Sequence, residues 1–246
     1  MGTIELLEKE FTDVPITEIN SLGELSKLIL EKYSKISEFK PELTDQEYLE
    51  KERIKIISLK HRFIAIANEV TQKKYIIDAD NKEIISNLFG YFMNTETELN
   101  KKKWLWIYGG LGVGKTDMIR AFLKLKAESK PTFEYTYSHV NHIIRAIQNK
   151  EKTDSNYINI PCLFLDDVGT ESKEQSYYGE RKNAIDRILQ ERYDLRHHPK
   201  FLTIVTTNNT LSQFEQFEHY DKRTIDRIRE SYNFIHLKGK NKRNLK

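Results

Sequence analysis

Four glycines closed by a lysine and a threonine are the first residues in this sequence whose types and spacing could do chemistry. Residues 109–116 read GGLGVGKT, which matches G-x-x-x-x-G-K-[ST] with Gly109 and Gly114 as the fixed glycines. A polyphosphate carries several negative charges along a curved path. Only backbone without Cβ atoms wraps it closely enough to aim successive N–H groups inward, and Gly109, Gly110, Gly112 and Gly114 supply that freedom. Lys115 would reach the β and γ phosphates of ATP, and Thr116 would place its hydroxyl on Mg²⁺. A helix opening at Lys115 would turn its positive dipole end to the same anion, with Leu111, Val113 and Asp117 completing the nucleotide-lining stretch.

Binding phosphate is not yet splitting it. Asp166 follows the four apolar residues 162–165, the placement of a Walker B aspartate that holds the metal. Asp167 beside it is the candidate base for the attacking water, at a position more often filled by glutamate. Asn208, at the end of a later strand, can donate its amide to the γ-phosphate or the water, with Asn209 as a substitute. Arg227 shares a helix face with Arg223, four residues away. An arginine presented to a neighbouring copy's γ-phosphate can be worth about 10³ to 10⁵ in rate.

Composition narrows the alternatives. The chain has 246 residues, 31% of them charged, and a net charge of +3, too small to establish a nucleic-acid partner by itself. It carries no apolar run long enough to cross a bilayer and no secretory signal, so a cytoplasmic protein without a membrane partner is expected. A single cysteine, Cys162, excludes both an internal disulfide and a cysteine zinc cluster. His139 and His142 could share a helix face, but without other ligands nearby they read as surface residues rather than a metal site.

These residues need a frame to hold them. The runs WLWIY, CLFL and FLTIV are apolar on both faces, as parallel strands between helices must be, and each carries its polar residues at its C-terminal end. Strands are expected over 104–108, 132–137, 160–165, 201–205 and 233–237, with helices over 115–129, 138–149, 179–195 and 220–230. Upstream, residues 72–94 read as a strand-like turn and an amphipathic helix. Residues 1–70 contain two capping-box patterns, Ser21 with Glu24 and Thr44 with Glu47, ahead of apolar helical stretches. The division is a helical N-terminal domain at 1–70 and a catalytic core at 71–246. Basic residues mark two surfaces for single-stranded DNA: Arg145, Lys150 and Lys152 on the helix after the second strand, and a tail with Lys238, Lys240, Lys242, Arg243 and Lys246.

The order of the phosphate loop, LFLDDVGTE, a helix ending ERY, TIVTTNN, and KRTIDRI followed by a strand and GKNKR resembles the AAA+ replicative helicase loaders of the DnaC and DnaI type. The transposition ATPase IstB is similar. The resemblance implies an α/β P-loop NTPase fold with a parallel five-stranded sheet of order 5-1-4-3-2, preceded by a small helical domain. Few residues follow the last strand, so the C-terminal lid of other AAA+ proteins is expected to be missing, as in these loaders. It further implies Mg-ATP hydrolysis between self-associated copies, with Asn208 as sensor 1 and Arg227 as the arginine finger. The function expected is delivery of a DnaB-type replicative helicase onto single-stranded DNA, with an IstB-like regulator of DNA transposition as the alternative. A small-molecule kinase and an adaptor that binds ATP without turnover are the rivals from other classes. The cysteines of the DnaI zinc domain are absent from the N-terminal segment, so helicase docking there rests on position alone.

Overall fold

The computed structural model describes residues 45–171, 176–177, 180–181, 183–218 and 220–242. Ser21, Glu24, Thr44, Arg243 and Lys246 lie outside them. The chain divides after Tyr75 into two units. The described part of the first is one long helix, α1 (Asp45–Thr71). Leu59, Phe63, Ile66 and Ala67 are its buried apolar residues, spaced three or four apart as one helix face requires. The helix stops where Gln72 turns left-handed, with φ 57°. The chain then folds back, so that the Tyr75 amide reaches the Asn68 side chain and its ring meets Phe63 edge-on.

The second unit is a parallel sheet covered by helices. Its elements are α2 (Lys82–Met93), β1 (Trp104–Tyr108), α3 (Lys115–Ser129), β2 (Thr136–His139), α4 (Val140–Gln148), the short α5 (Ser155–Ile158) and β3 (Cys162–Val168). A two-stranded hairpin follows, β4 (Ser176–Tyr177) and β5 (Glu180–Arg181), and then α6 (Ala184–Tyr193), β6 (Leu202–Thr207), α7 (Leu211–Gln216), α8 (Lys222–Ser231) and β7 (Tyr232–His236). The sheet order is β2-β3-β6-β1-β7. Counted along its own five strands from the β7 edge this is 5-1-4-3-2, as expected, and every pairing is parallel.

Burial follows the apolar runs. Trp104, Trp106, Leu163, Leu165 and Val205 share one core with Val140, Ile143 and Ile147 of α4, Ile185 and Ile188 of α6, and Ile225 and Ile228 of α8. The intervening residues Leu105, Ile107, Phe164 and Ile204 are equally buried and point to the other side by the period of a strand. On that other side Phe122 of α3 stacks on Phe92 of α2, their ring centroids 5.4 Å apart.

Several boundaries differ from the sequence expectation. The second strand starts at Thr136 and runs to His139, so the helix after it begins at Val140 rather than at residue 138. The sixth helix begins at Ala184, because the hairpin occupies the stretch read as its first turns. Residues 74–78 form no strand. At the opposite end of the sheet from the phosphate loop, Arg192 is fully buried. Its guanidinium donates to the carbonyls of Tyr157, Ile158, Ile160 and Leu202 and to the Thr203 hydroxyl. It also lies over the Trp104 and Phe201 rings. Burial pulls its pKa down to about 10.

Candidate active site

The phosphate loop joins β1 to α3 at the C-terminal edge of the sheet, where parallel strands place their ligand crevice. Gly112 and Gly114 take φ 73° and 97°, a region costly for residues with a Cβ. Gly114 is the residue from which α3 starts, and a Cβ there would meet nothing within 4 Å. Its glycine is required by backbone conformation and not by crowding. The Leu111 side chain is exposed at the tip of the loop, Val113 is buried, and Asp117 lies in the first turn of α3.

Lys115 is nearly sealed from solvent. Its ammonium donates to the carbonyls of Gly109 and Gly110 at 2.9 Å each and to Asn208 Oδ1 at 2.8 Å. The loop lysine and the residue at the end of β6 are therefore one hydrogen-bonded unit, although 93 residues separate them. Asn209 is not part of it: its amide donates to the Thr207 hydroxyl, and its side chain lies near Gly169.

Asp166 is buried at the end of β3 and collects three hydroxyls. Thr116 donates to its Oδ1 at 2.7 Å, Thr206 donates to the same oxygen, and Tyr137 donates to Oδ2 at 2.9 Å. The Tyr137 phenol is pushed up to about 12, by burial first and by the Asp166 carboxylate second. Arg120 of α3 lies over the Tyr137 ring.

Asp167 sits at an irregularity within β3. The β3–β6 register shifts between Leu165 and Val168, and Asp167 takes φ 58°. Such a bulge re-aims a side chain, and aspartate is among the few residues with a Cβ that tolerate this conformation. The local backbone thus accounts for an aspartate where glutamate is more common. The Asp167 carboxylate lies 3.4 Å from His139 Nε2, while His139 Nδ1 accepts the Asn141 amide and caps α4. With Nδ1 accepting, the proton of the ring sits on Nε2 and faces Asp167.

No protein-family model matches the chain. Among curated proteins it is 33% identical to the replicative helicase loader DnaI of Bacillus subtilis over 107 residues, 41% of this chain and 33% of that protein. It is 29% identical to the chromosomal replication initiator protein DnaA of Latilactobacillus sakei over 113 residues, 44% of this chain and 23% of that protein. The chain thus matches a third or less of the length of these relatives. Among solved structures, DnaI superimposes with a TM-score of 0.52 at 20% identity, covering 72% of this chain and 93% of that one. The DnaC helicase loader superimposes with a TM-score of 0.51 at 23% identity, covering 66% and 93%. The fold is that of the AAA+ loaders of the DnaC/DnaI type.

Within this loader fold, Arg227 stands apart from the phosphate loop. It projects from α8 onto α6, with its guanidinium 4.6 Å from the centre of the Tyr193 ring and a 3.2 Å bond to the Gln190 carbonyl. Arg223, on the same helix, is exposed. Of the basic residues singled out for DNA, only Arg145 lies on α4. Lys150 and Lys152 follow the helix, Lys152 lies over the Tyr157 ring, and Lys242 is paired with Asp78.

Sequence reasoning missed Tyr137 and His139 because it ended β2 at Tyr137 and gave His139 to a helix. The pairing of His139 with Asp166 across β2 and β3 is what brings both side chains to the acids. It also missed Glu171, which is buried, accepts the Gly169 amide at 2.7 Å and takes the Tyr220 hydroxyl. The available signal was the acidic residue that closes DDVGTE, a stretch carrying the resemblance in which Glu171 was given no role.

Proposed function

We propose that this chain is an ATP-dependent loader that delivers a DnaB-type replicative helicase onto single-stranded DNA, binding Mg-ATP at the phosphate loop and hydrolysing it between self-associated copies. The observation that carries the nucleotide reading is the Lys115 ammonium held by Gly109, Gly110 and Asn208 beside the Thr116–Asp166 pair. These three partners are neutral oxygens, which an entering anion can replace by a charge-assisted bond.

The donor set fits magnesium. A threonine hydroxyl and a carboxylate 2.7 Å apart are hard oxygen ligands, and Mg²⁺ takes one or two such protein groups together with substrate phosphate and water. When bound, the ion supplies neutralisation of charge on the β and γ phosphates. The loop amides and Lys115 bind the phosphates, and Asn208, tethered to Lys115, is placed to orient the terminal phosphate or the water. Asp167 takes the water proton, with His139 fixing the direction of its carboxylate. Arg227, seated on α6 at the Gln190 carbonyl and the Tyr193 ring, acts on the nucleotide of a neighbouring copy.

The division of labour follows the chain. Residues 1–70 would grip the helicase while the core from 71 onward cycles, since a nucleotide-driven switch works only if the two states differ in affinity for the partner. Similarity to DnaI and to the DnaC helicase loader supports this reading, as does the lack of any helix among the described residues long and apolar enough to cross a membrane. The test is a loading assay with the full chain, the replicative helicase of the same cell and circular single-stranded DNA. Helicase should be retained on the circle with Mg-ATP and the wild-type chain, and not with Lys115→Ala. Capture of a transposase and no helicase in any nucleotide state would give the IstB-like reading in its place.

A further inference from the structure

The residues that follow β7 cross the phosphate loop. Leu237 donates its amide to the Tyr108 carbonyl at 2.9 Å and so extends the sheet pairing by one residue. A Cβ on Gly109 would collide with the Leu237 carbonyl. The chain then turns at Gly239, φ 122°. Beyond it the Asn241 carboxamide rests so closely on Gly112 that a Cβ there would overlap its oxygen and carbon. The Lys242 amide donates to the Gly112 carbonyl at 2.8 Å, and the Lys242 ammonium reaches Asp78 Oδ2 at 2.7 Å.

Asp78 belongs to a self-bonded turn. Its other oxygen accepts the amides of Asp80 and Asn81, and Asn81 Oδ1 accepts the Asp78 amide in return. Burial raises the Asp78 carboxyl, but Lys242 and the two amides outweigh it and hold the group below the ordinary carboxylate range. Three segments distant in sequence are therefore interlocked: the turn at 76–81, the loop at 109–114 and the stretch 237–242.

One peptide of the loop feels this directly. In a planar trans peptide the carbonyl and the following N–H point in opposite directions. Tying the Gly112 carbonyl to the Lys242 amide fixes the Val113 N–H to face away from residues 237–242. Gly112 has no Cβ and takes φ 73°, so on its side of this peptide no side chain selects among orientations.

We propose that residues 237–242 are a strap of the nucleotide site, latched by Lys242 on Asp78, that presets the Gly112–Val113 peptide so that its N–H is available to the nucleotide's phosphates. This rests on the phosphate-binding reading of the loop and adds to it residues 130 or so positions downstream that touch no phosphate themselves. Strap and nucleotide then favour each other by the same factor, since coupling between two binding equilibria is reciprocal.

The latch is partly exposed, 23% at Lys242 and 34% at Asp78, so breaking it should change affinity by about three- to fivefold. The test measures ADP affinity of the full chain by titration calorimetry for Lys242→Asp, Asp78→Lys and the double exchange. Each single variant should bind ADP more weakly by that factor, and the double exchange, which restores opposite charges, should recover most of it. A segment that merely packs would show no such rescue. In the wild-type chain saturating ADP should slow hydrogen exchange of the Lys242 amide, the donor to Gly112. Wild-type affinity in both single variants, or an unchanged Lys242 amide, overturns the strap alone. A wild-type chain that binds no ADP overturns the reading of the loop and the strap with it.

Discussion

Both ends of the sheet bury a cation, and the difference between them separates a site from a clamp. At the N-terminal end of the strands Arg192 spends its guanidinium on four backbone carbonyls and a hydroxyl under two aromatic rings, and none of it is exposed. At the C-terminal end Lys115 is almost as buried, yet it bonds two carbonyls of the phosphate loop and Asn208, a residue that can exchange partners. Burial of charge therefore does not mark function. The Arg192 donors are used up within a sealed layer; the Lys115 donors sit where an anion can compete for them.

The largest effect expected belongs to a third cation, half-open between these extremes. Arg227→Ala should leave ATP binding intact and lower Mg-ATP turnover by about 10³-fold or more, measured as phosphate release at saturating ATP. The comparison would break if turnover were unaffected, for Arg227 would then be only a stacking partner of Tyr193. Next comes Lys115→Ala, which removes charge-assisted bonds to phosphate and should weaken ATP binding about ten- to a hundredfold. Its thermal midpoint should fall less than that of Arg192→Met, since one of the carbonyls it releases belongs to Gly110, which is exposed.

Arg192→Met should behave in the opposite way. The buried carbonyls lose their donor, and a cost of about 3–5 kcal/mol is expected in urea unfolding, with ADP affinity of the folded fraction unchanged. Smaller still is Tyr220→Phe, which removes the phenol that meets Glu171 and should cost about 1–2 kcal/mol. A shift in nucleotide affinity with Arg192→Met would show that the sealed layer and the open edge are not independent.

The strands and the glycine-rich loop were legible because each rests on a local signal, whereas the sheet order came from the family resemblance and from no spacing in the chain. Apolar runs ending in polar residues mark parallel strands, and the glycine spacing marks the loop. What was not legible depends on register. Tyr137 and His139 meet Asp166 and Asp167 only because β2 runs two residues further than its alternation suggests, and a strand boundary carries no signal as sharp as a glycine. The conformation of Asp167 is also invisible in sequence, since an aspartate at the end of a strand is ordinary until the bulge is seen. The crossing of residues 237–242 over Gly112 involves contacts between residues that no periodicity connects.

The central claim is that the open edge is a shared ATPase site, completed by Arg227 of a neighbouring copy. Its most direct test mixes two inactive proteins, Asp167→Asn, which keeps the arginine, and Arg227→Ala, which keeps the base, and follows phosphate release as total concentration is raised. The account predicts turnover well above the sum of the two separate proteins, increasing with concentration as mixed interfaces form with one intact Asp167 facing one intact Arg227. A mixture that never exceeds the sum, beside a wild type whose turnover per chain is independent of concentration, would contradict it.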